Sequence, residues 1–149
     1  MEDRRRILAL DVGRKRIGLA ISDPLRLTAQ GLETLQRKGL SQDLARLGQI
    51  AKERKVSRFL IGLPLQLSGS DSEMTALVRR FSSQLEASTG IPVQLQDERY
   101  TSVEAESRLR EQGHSNLERF LKAKREGAVD RMAAIVMLEE YLRTNQSPE

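Results

Sequence analysis

Apolar residues near the start of the chain fall in two short blocks, Ile7-Leu8-Ala9-Leu10 and Ile17-Gly18-Leu19-Ala20-Ile21. Blocks of this length bounded by turn residues predict strands over Ile7–Asp11 and Arg16–Ser22. Only Val12 to Lys15 separate them. A parallel crossover needs a dozen or more residues, so the pair must be an antiparallel hairpin. A third strand is predicted over Gly31–Gln36. The period then changes. Leu44, Leu47, Ile50 and Ala51 share one face of a helix over Leu40–Lys55. Arg58–Leu63 reads as a strand, its apolar run unbroken as expected when both faces are buried. Pro64 ends it, and Gln66 to Ser70 reads as a loop. Met74, Leu77, Val78, Phe81 and Leu85 recur at helical spacing. Ser70 and Glu73 offer that helix a capping box, and Gly90 and Pro92 stop it. Val93–Asp97 is a further strand. Thr101 and Glu104 offer a second capping box, opening a helix to about Gln112. Val129–Arg143 is the last helix, apolar almost all round from Met132 to Leu138 and therefore buried.

The order is a three-stranded meander followed by alternating helices and strands. Right-handed crossovers then give an α/β fold with a mixed five-stranded sheet. Its first three strands are antiparallel, two parallel strands follow, and helices cover both faces. The first strand, between its hairpin partner and a parallel neighbour, is central. Asp11 then stands at the middle of the sheet edge, and Glu98 just past the end of a parallel strand. Open α/β sheets bind ligands at such carboxyl ends. No repeat or linker interrupts the pattern, so residues 1–143 are expected to form a single domain and 144–149 a disordered tail.

Composition narrows the function. The 149-residue chain has no cysteine, which excludes disulfides and thiolate metal sites and suits a reducing cytoplasm. No apolar stretch is long enough to span a membrane. Met1 to Arg6 leads straight into a strand without the apolar region of a signal peptide. The formal charge of +4 is modest, but its distribution is informative. Cations cluster at Arg4–Arg6, Arg14–Arg16, Lys52–Arg58 and Arg119–Arg125. Such clusters can neutralise phosphates, although any one of them also suits an ordinary solvated surface.

The candidate chemistry lies in three acidic sites. Asp11 opens Asp11-Val12-Gly13-Arg14-Lys15-Arg16-Ile17-Gly18, a carboxylate at a strand tip followed by glycine and three cations. Asp97-Glu98-Arg99 and Val129-Asp130-Arg131 repeat the pairing of acid with base. Phosphodiester hydrolysis needs an activated water, a stabilised leaving oxygen and neutralised phosphate charge, which two divalent ions can supply together. Mg²⁺ and Mn²⁺ favour oxygen donors, so Asp11, Glu98 and Asp130 from separate elements could assemble the site. Singly, each acid has a plainer reading. Asp11 suits a hairpin turn, Asp130 a helix start, and Glu98 an ion pair with Arg99. Arg14, Lys15, Arg16, Arg99 and Arg131 would offset repulsion among the acids and contact phosphate. Thr101 is a further phosphate donor or an ordinary N-cap, and Lys122, Lys124 and Arg125 extend the basic surface.

The run Leu10 to Asp23 resembles the opening motif of the YqgF (RuvX-like) family. Gly62-Leu63-Pro64-Leu65 with Gly69 resembles its second motif, Asp97 to Ser102 with Glu104-Ala105-Glu106 its third, and Val129 to Ala134 its fourth. The motifs occur in order across nearly the whole chain. Gln66 and Tyr100 depart from the residues usual at their positions. The resemblance implies an RNase H-like fold and a bacterial cytoplasmic nuclease that processes the 5′ end of pre-16S rRNA with Mg²⁺ or Mn²⁺. It maps the family's acids onto Asp11, Glu98 and Asp130. Relatives have also been proposed as Holliday-junction resolvases, which makes branched DNA the alternative substrate and a homodimer the alternative to a monomer. A non-catalytic nucleic-acid-binding assembly factor and an actin-like ATPase are the other readings the motifs admit.

Overall fold

The computed structural model describes residues 6–64, 72–97 and 128–144. Strands β1 (Arg6–Val12) and β2 (Arg16–Ser22) form the expected hairpin, with Asp11 opposite Gly18. Strand β5 (Val56–Leu63) lies parallel to β1 on its other side, and β6 (Val93–Asp97) lies parallel to β5. β1 is therefore interior to the sheet, as its two kinds of neighbour require.

The third predicted strand is in fact two. β3 (Ala29–Gly31) and β4 (Leu35–Gln36) both pair with β2, so the sheet among the described residues has six strands. Ala20 faces Gly31, whereas Ile17 faces Leu35, so the register slips by one residue between the two segments. An extra residue in one strand breaks the ladder in this way. Leu32 still donates its N–H to the Leu19 carbonyl at 2.9 Å, and Leu32 and Leu35 both pack against the core.

Helices α1 (Leu40–Glu53) and α2 (Glu73–Thr89) cover one face, and α3 (Ala128–Thr144) covers the other. The alternation of β1 explains this division. Leu8, Leu10 and Val12 join Leu47, Ile50, Val78, Phe81 and Leu85, while Ile7 and Ala9 join Ala134, Met137, Leu138 and Tyr141. α3 is buried through Met132, Ala133, Ala134, Val136, Met137 and Leu138, as its apolar circumference predicts.

Helix ends depart from the sequence reading at α1 and α2, and α3 runs one residue further at each end, so that Thr144, expected in the disordered tail, is helical. α1 stops at Glu53, because Lys55 takes φ 57°, which no helix accommodates. α2 is capped by Ser72 rather than Ser70. The Ser72 hydroxyl accepts from Thr75 N at 3.2 Å, and Ser72 N donates back to the Thr75 hydroxyl at 3.0 Å. Thr75 thus takes the part expected of Glu73, and it also donates its hydroxyl to the Pro64 carbonyl at 2.8 Å. Gly90 ends α2 at φ 73°, a left-handed position suited to glycine. Ser70, the Thr101–Glu104 box and the helix expected after it lie outside the described residues.

Candidate active site at the carboxyl edge of the sheet

Asp11 is the penultimate residue of β1 and is half-buried. Continuing the alternation past Ile7 and Ala9 sets it on the α3 face. Its cross-strand partner on β2 is Gly18. On β5, the residue one beyond the Leu10–Ile61 pair is Gly62. Ala20 and Leu60 belong to the α3-facing cluster, so Gly18 and Gly62, each two residues from one of them, lie on that face as well. Neither glycine has a side chain. The carboxylate at the centre of the edge is thus flanked on both adjoining strands by glycines, which place no side chain of their own beside it.

The β1–β2 turn is tightly closed. Gly13 donates its N–H to the Arg16 carbonyl at 2.8 Å, and a Cβ at position 13 would stand 2.9 Å from that oxygen. Any other residue there would force the turn to shift. Arg14 and Lys15 are exposed on the turn, while Arg16 is half-buried and pairs with Gln36.

Asp130 is the third residue of α3, the helix packed on the face that Asp11 shares. Its neighbour Arg131 packs its stem over β3. A Cβ at Gly31 would stand 3.1 Å from the Arg131 Cγ and Cδ and 3.0 Å from the Ile135 Cδ1. Further along, the Met137 carbonyl accepts from Gln96 Nε2 at 3.2 Å, and the Tyr141 hydroxyl accepts from Arg58 at 2.9 Å. Arg58 is in register with Ile7, so the end of α3 is anchored near the base of the parallel strands.

β6 ends at Asp97, opposite Leu63 of β5. Two strand spacings separate it from β1, roughly 10 Å across the sheet. Glu98, the next residue in the chain, lies outside the described residues, as do Arg99, Thr101, Lys122, Lys124 and Arg125 and the loop Gln66–Ser70. The described residues therefore bring Asp11, the Arg14–Arg16 turn and the start of α3 to one face or edge. Among them no three His, Cys, Asp or Glu side chains form a metal-holding group. The chemistry of Asp11 and Asp130 suits a hard divalent cation, since carboxylate oxygens are the donors that Mg²⁺ and Mn²⁺ select.

One part of the site escapes sequence reasoning. Arg37, just after β4, forms an ion pair with the buried Asp43 of α1, Nε to Oδ2 at 3.0 Å, and its NH1 donates to the Gly13 carbonyl at 3.1 Å. In the sequence Arg37 is one of several surface-type cations and Asp43 an ordinary acid in a helix's first turn. Nothing local marks them as partners.

A family model described as "RuvX: Holliday junction resolvase" matches residues 5–144. A protein of Koribacter versatilis named "Putative pre-16S rRNA nuclease" is 49% identical over 137 residues, covering 92% of this chain and 86% of that protein. A protein of Symbiobacterium thermophilum with the same name is 42% identical over 146 residues, covering 97% of each. Among solved structures, Thermus thermophilus RuvC in complex with a Holliday junction substrate superposes with a TM-score of 0.57 at 13% identity, over 95% of this chain and 96% of that one. At that identity the likeness is one of fold.

Proposed function

This chain belongs to the RuvX family, and from that membership and the geometry of the sheet edge we propose that it is a divalent-metal-dependent nuclease that trims the 5′ end of pre-16S rRNA. The observation that carries the reading is Asp11. It is half-buried at the tip of an interior strand, flanked by Gly18 and Gly62, on the face covered by the helix that bears Asp130. The names of the relatives supply the substrate.

In this reading Asp11, Glu98 and Asp130 hold Mg²⁺ or Mn²⁺. Such ions, when bound, generate the attacking hydroxide and neutralise charge on the phosphate and the leaving oxygen. The protein's own contribution is positioning. Arg14 and Lys15 project from the turn beyond Asp11, where they meet substrate phosphates, and Arg131 extends the cationic surface from α3. Arg99, Thr101, Lys122, Lys124 and Arg125 complete the proposed nucleic-acid surface.

The test is cleavage of a 5′-extended 16S precursor fragment by the purified protein, with Mg²⁺ or Mn²⁺ and with EDTA. Cleavage is expected only with the metal. Asp11→Asn should lower the rate by more than the roughly 10–100-fold lost when a residue merely supporting a metal ligand is changed. Its melting temperature should stay near that of the parent. Wild-type cleavage by Asp11→Asn would overturn the reading.

The family description and the RuvC-like fold favour branched DNA as the second reading. Resolving a junction takes two sites related by a two-fold axis. Symmetric nicking of a four-way junction by a dimer, with the rRNA precursor left intact, would replace the first reading by the second.

A further inference from the structure

Arg37 reaches in several directions at once. Its backbone N–H donates to the Lys15 carbonyl at 2.9 Å, and its NH1 donates to the Gly13 carbonyl at 3.1 Å. Its Nε donates to Asp43 Oδ2 at 3.0 Å, while Asp43 Oδ1 accepts from Lys38 N at 3.0 Å. Its guanidinium carbon stands 5.2 Å from the centroid of the Phe81 ring, within range of a cation–π contact. Asp43 is 5% exposed and Phe81 2%. One side chain therefore ties the β1–β2 turn to α1 through Asp43 and to α2 through Phe81.

An ion pair serving packing alone would be complete with Asp43. Here a guanidinium donor and the backbone N–H of the same residue are spent on the turn, at the carbonyls on either side of Arg14. The turn is also closed internally by Gly13 and Arg16. Arg14 and Lys15 thus stand exposed on a backbone fixed from behind. Holding a binding loop in its bound shape lowers the entropy lost on binding, and so raises affinity without adding contacts. Arginine suits this task. Its planar fork serves Asp43 and Gly13 together, whereas a lysine presents a single point charge.

We propose that Arg37 is a positioning residue that locks the Gly13–Lys15 turn onto the helical layer, so that Arg14 and Lys15 are held ready for substrate phosphates beside Asp11. This inference rests on the reading of that turn as part of the nuclease site.

The experiment is a double-mutant cycle read by binding in EDTA, where no cleavage occurs. The probe is a fluorescein-labelled RNA hairpin with a single-stranded 5′ extension. Four proteins are compared: the parent, Arg37→Lys, Arg14→Ala with Lys15→Ala, and the triple variant. Arg37→Lys is expected to weaken binding of the parent about fivefold, and by less than twofold once Arg14 and Lys15 are gone. Contacts that act through one another are non-additive in this way. An equal loss in both backgrounds, or none in either, would overturn the proposal. So would unchanged binding on removing Arg14 and Lys15, since the turn would then not be a phosphate contact. If Arg37→Lys melts too low to assay, Phe81→Leu takes its place, removing the ring beneath the guanidinium but keeping an apolar side chain, with the same pattern expected. The nuclease reading fails separately, through the Asp11→Asn cleavage assay, and its failure would leave the binding cycle interpretable.

Discussion

Asp23 shows how much a single carboxylate organises in this protein. Its Oδ1 accepts from Leu27 N at 2.8 Å, Thr28 N at 2.7 Å and the Thr28 hydroxyl at 3.1 Å, and its Oδ2 accepts from Leu25 N at 3.2 Å. These bonds hold the loop that carries Arg26 at φ 58°, a left-handed position that costs a non-glycine residue energy. Burial pushes the Asp23 carboxyl up, but the hydrogen bonds from Thr28 and Leu27 together outweigh it and leave it below the ordinary carboxylate value. A carboxylate depressed in the folded state stabilises the fold above its unfolded value, about 4, and loses that contribution as pH falls through its lower folded value. The stability gap between the parent and Asp23→Asn should be constant from pH 5 to 7 and begin to shrink below about pH 4. Urea denaturation from pH 7 down through pH 4 measures it, and a gap that does not shrink at all on going below about pH 4 would contradict the assignment. Asp11 differs in kind. Asp23 is bound by its own loop, whereas Asp11 sits within the sheet, between strands that carry glycine at the facing positions.

Among the elements, α2 is the best-terminated helix described. Ser72 and Thr75 cap its start and Gly90 its end, and the Thr75 hydroxyl joins that start to Pro64 at the end of β5. Loss of an N-cap hydroxyl typically costs about 1 kcal/mol. Ser72→Ala should lower stability by that amount, seen as a shift in the urea midpoint with an unchanged slope. No shift would mean that the cap carries little of the helix's stability. The helix itself was legible because Met74, Leu77, Val78, Phe81 and Leu85 repeat at its period. Its cap was not, because Ser70 and Ser72 both suit an N-cap and the reciprocal bonds of Ser72 with Thr75 select between them only in the folded chain. The divided third strand has a similar cause. Its residues read as one segment, and the slip appears only in register against β2.

Over the whole molecule the two ends of the sheet have different tasks. Asp11 and the cationic turn occupy one end of β1, and the Asp23 loop lies at the other, where Ser22 Oγ accepts from Ile7 N at 2.9 Å. The chain has few aromatics, so base stacking contributes little and nucleic-acid affinity should rest on phosphate contacts. Affinity for single-stranded RNA should fall linearly on a log–log plot against salt, with a slope of about −0.7 for each phosphate neutralised. Lys15→Ala should weaken binding alike across RNA sequences and make the slope shallower by about one such contact. A flat salt response in the parent protein would exclude this mode of binding.

Apart from the divided third strand, the order of the described strands and helices, the interior position of β1, the burial of α3 and the placing of Asp11 at a strand tip all followed from the sequence. Each depends on local periodicity or on connection length, and those act on neighbouring residues. Tertiary structure alone decided that Arg37 pairs with Asp43 beneath the Gly13 turn, that Gly18 and Gly62 flank Asp11 together, and that Ser72 caps α2. These contacts depend on side chains from separate elements meeting in space, and a charge or a glycine carries no mark of its partner in the order of residues.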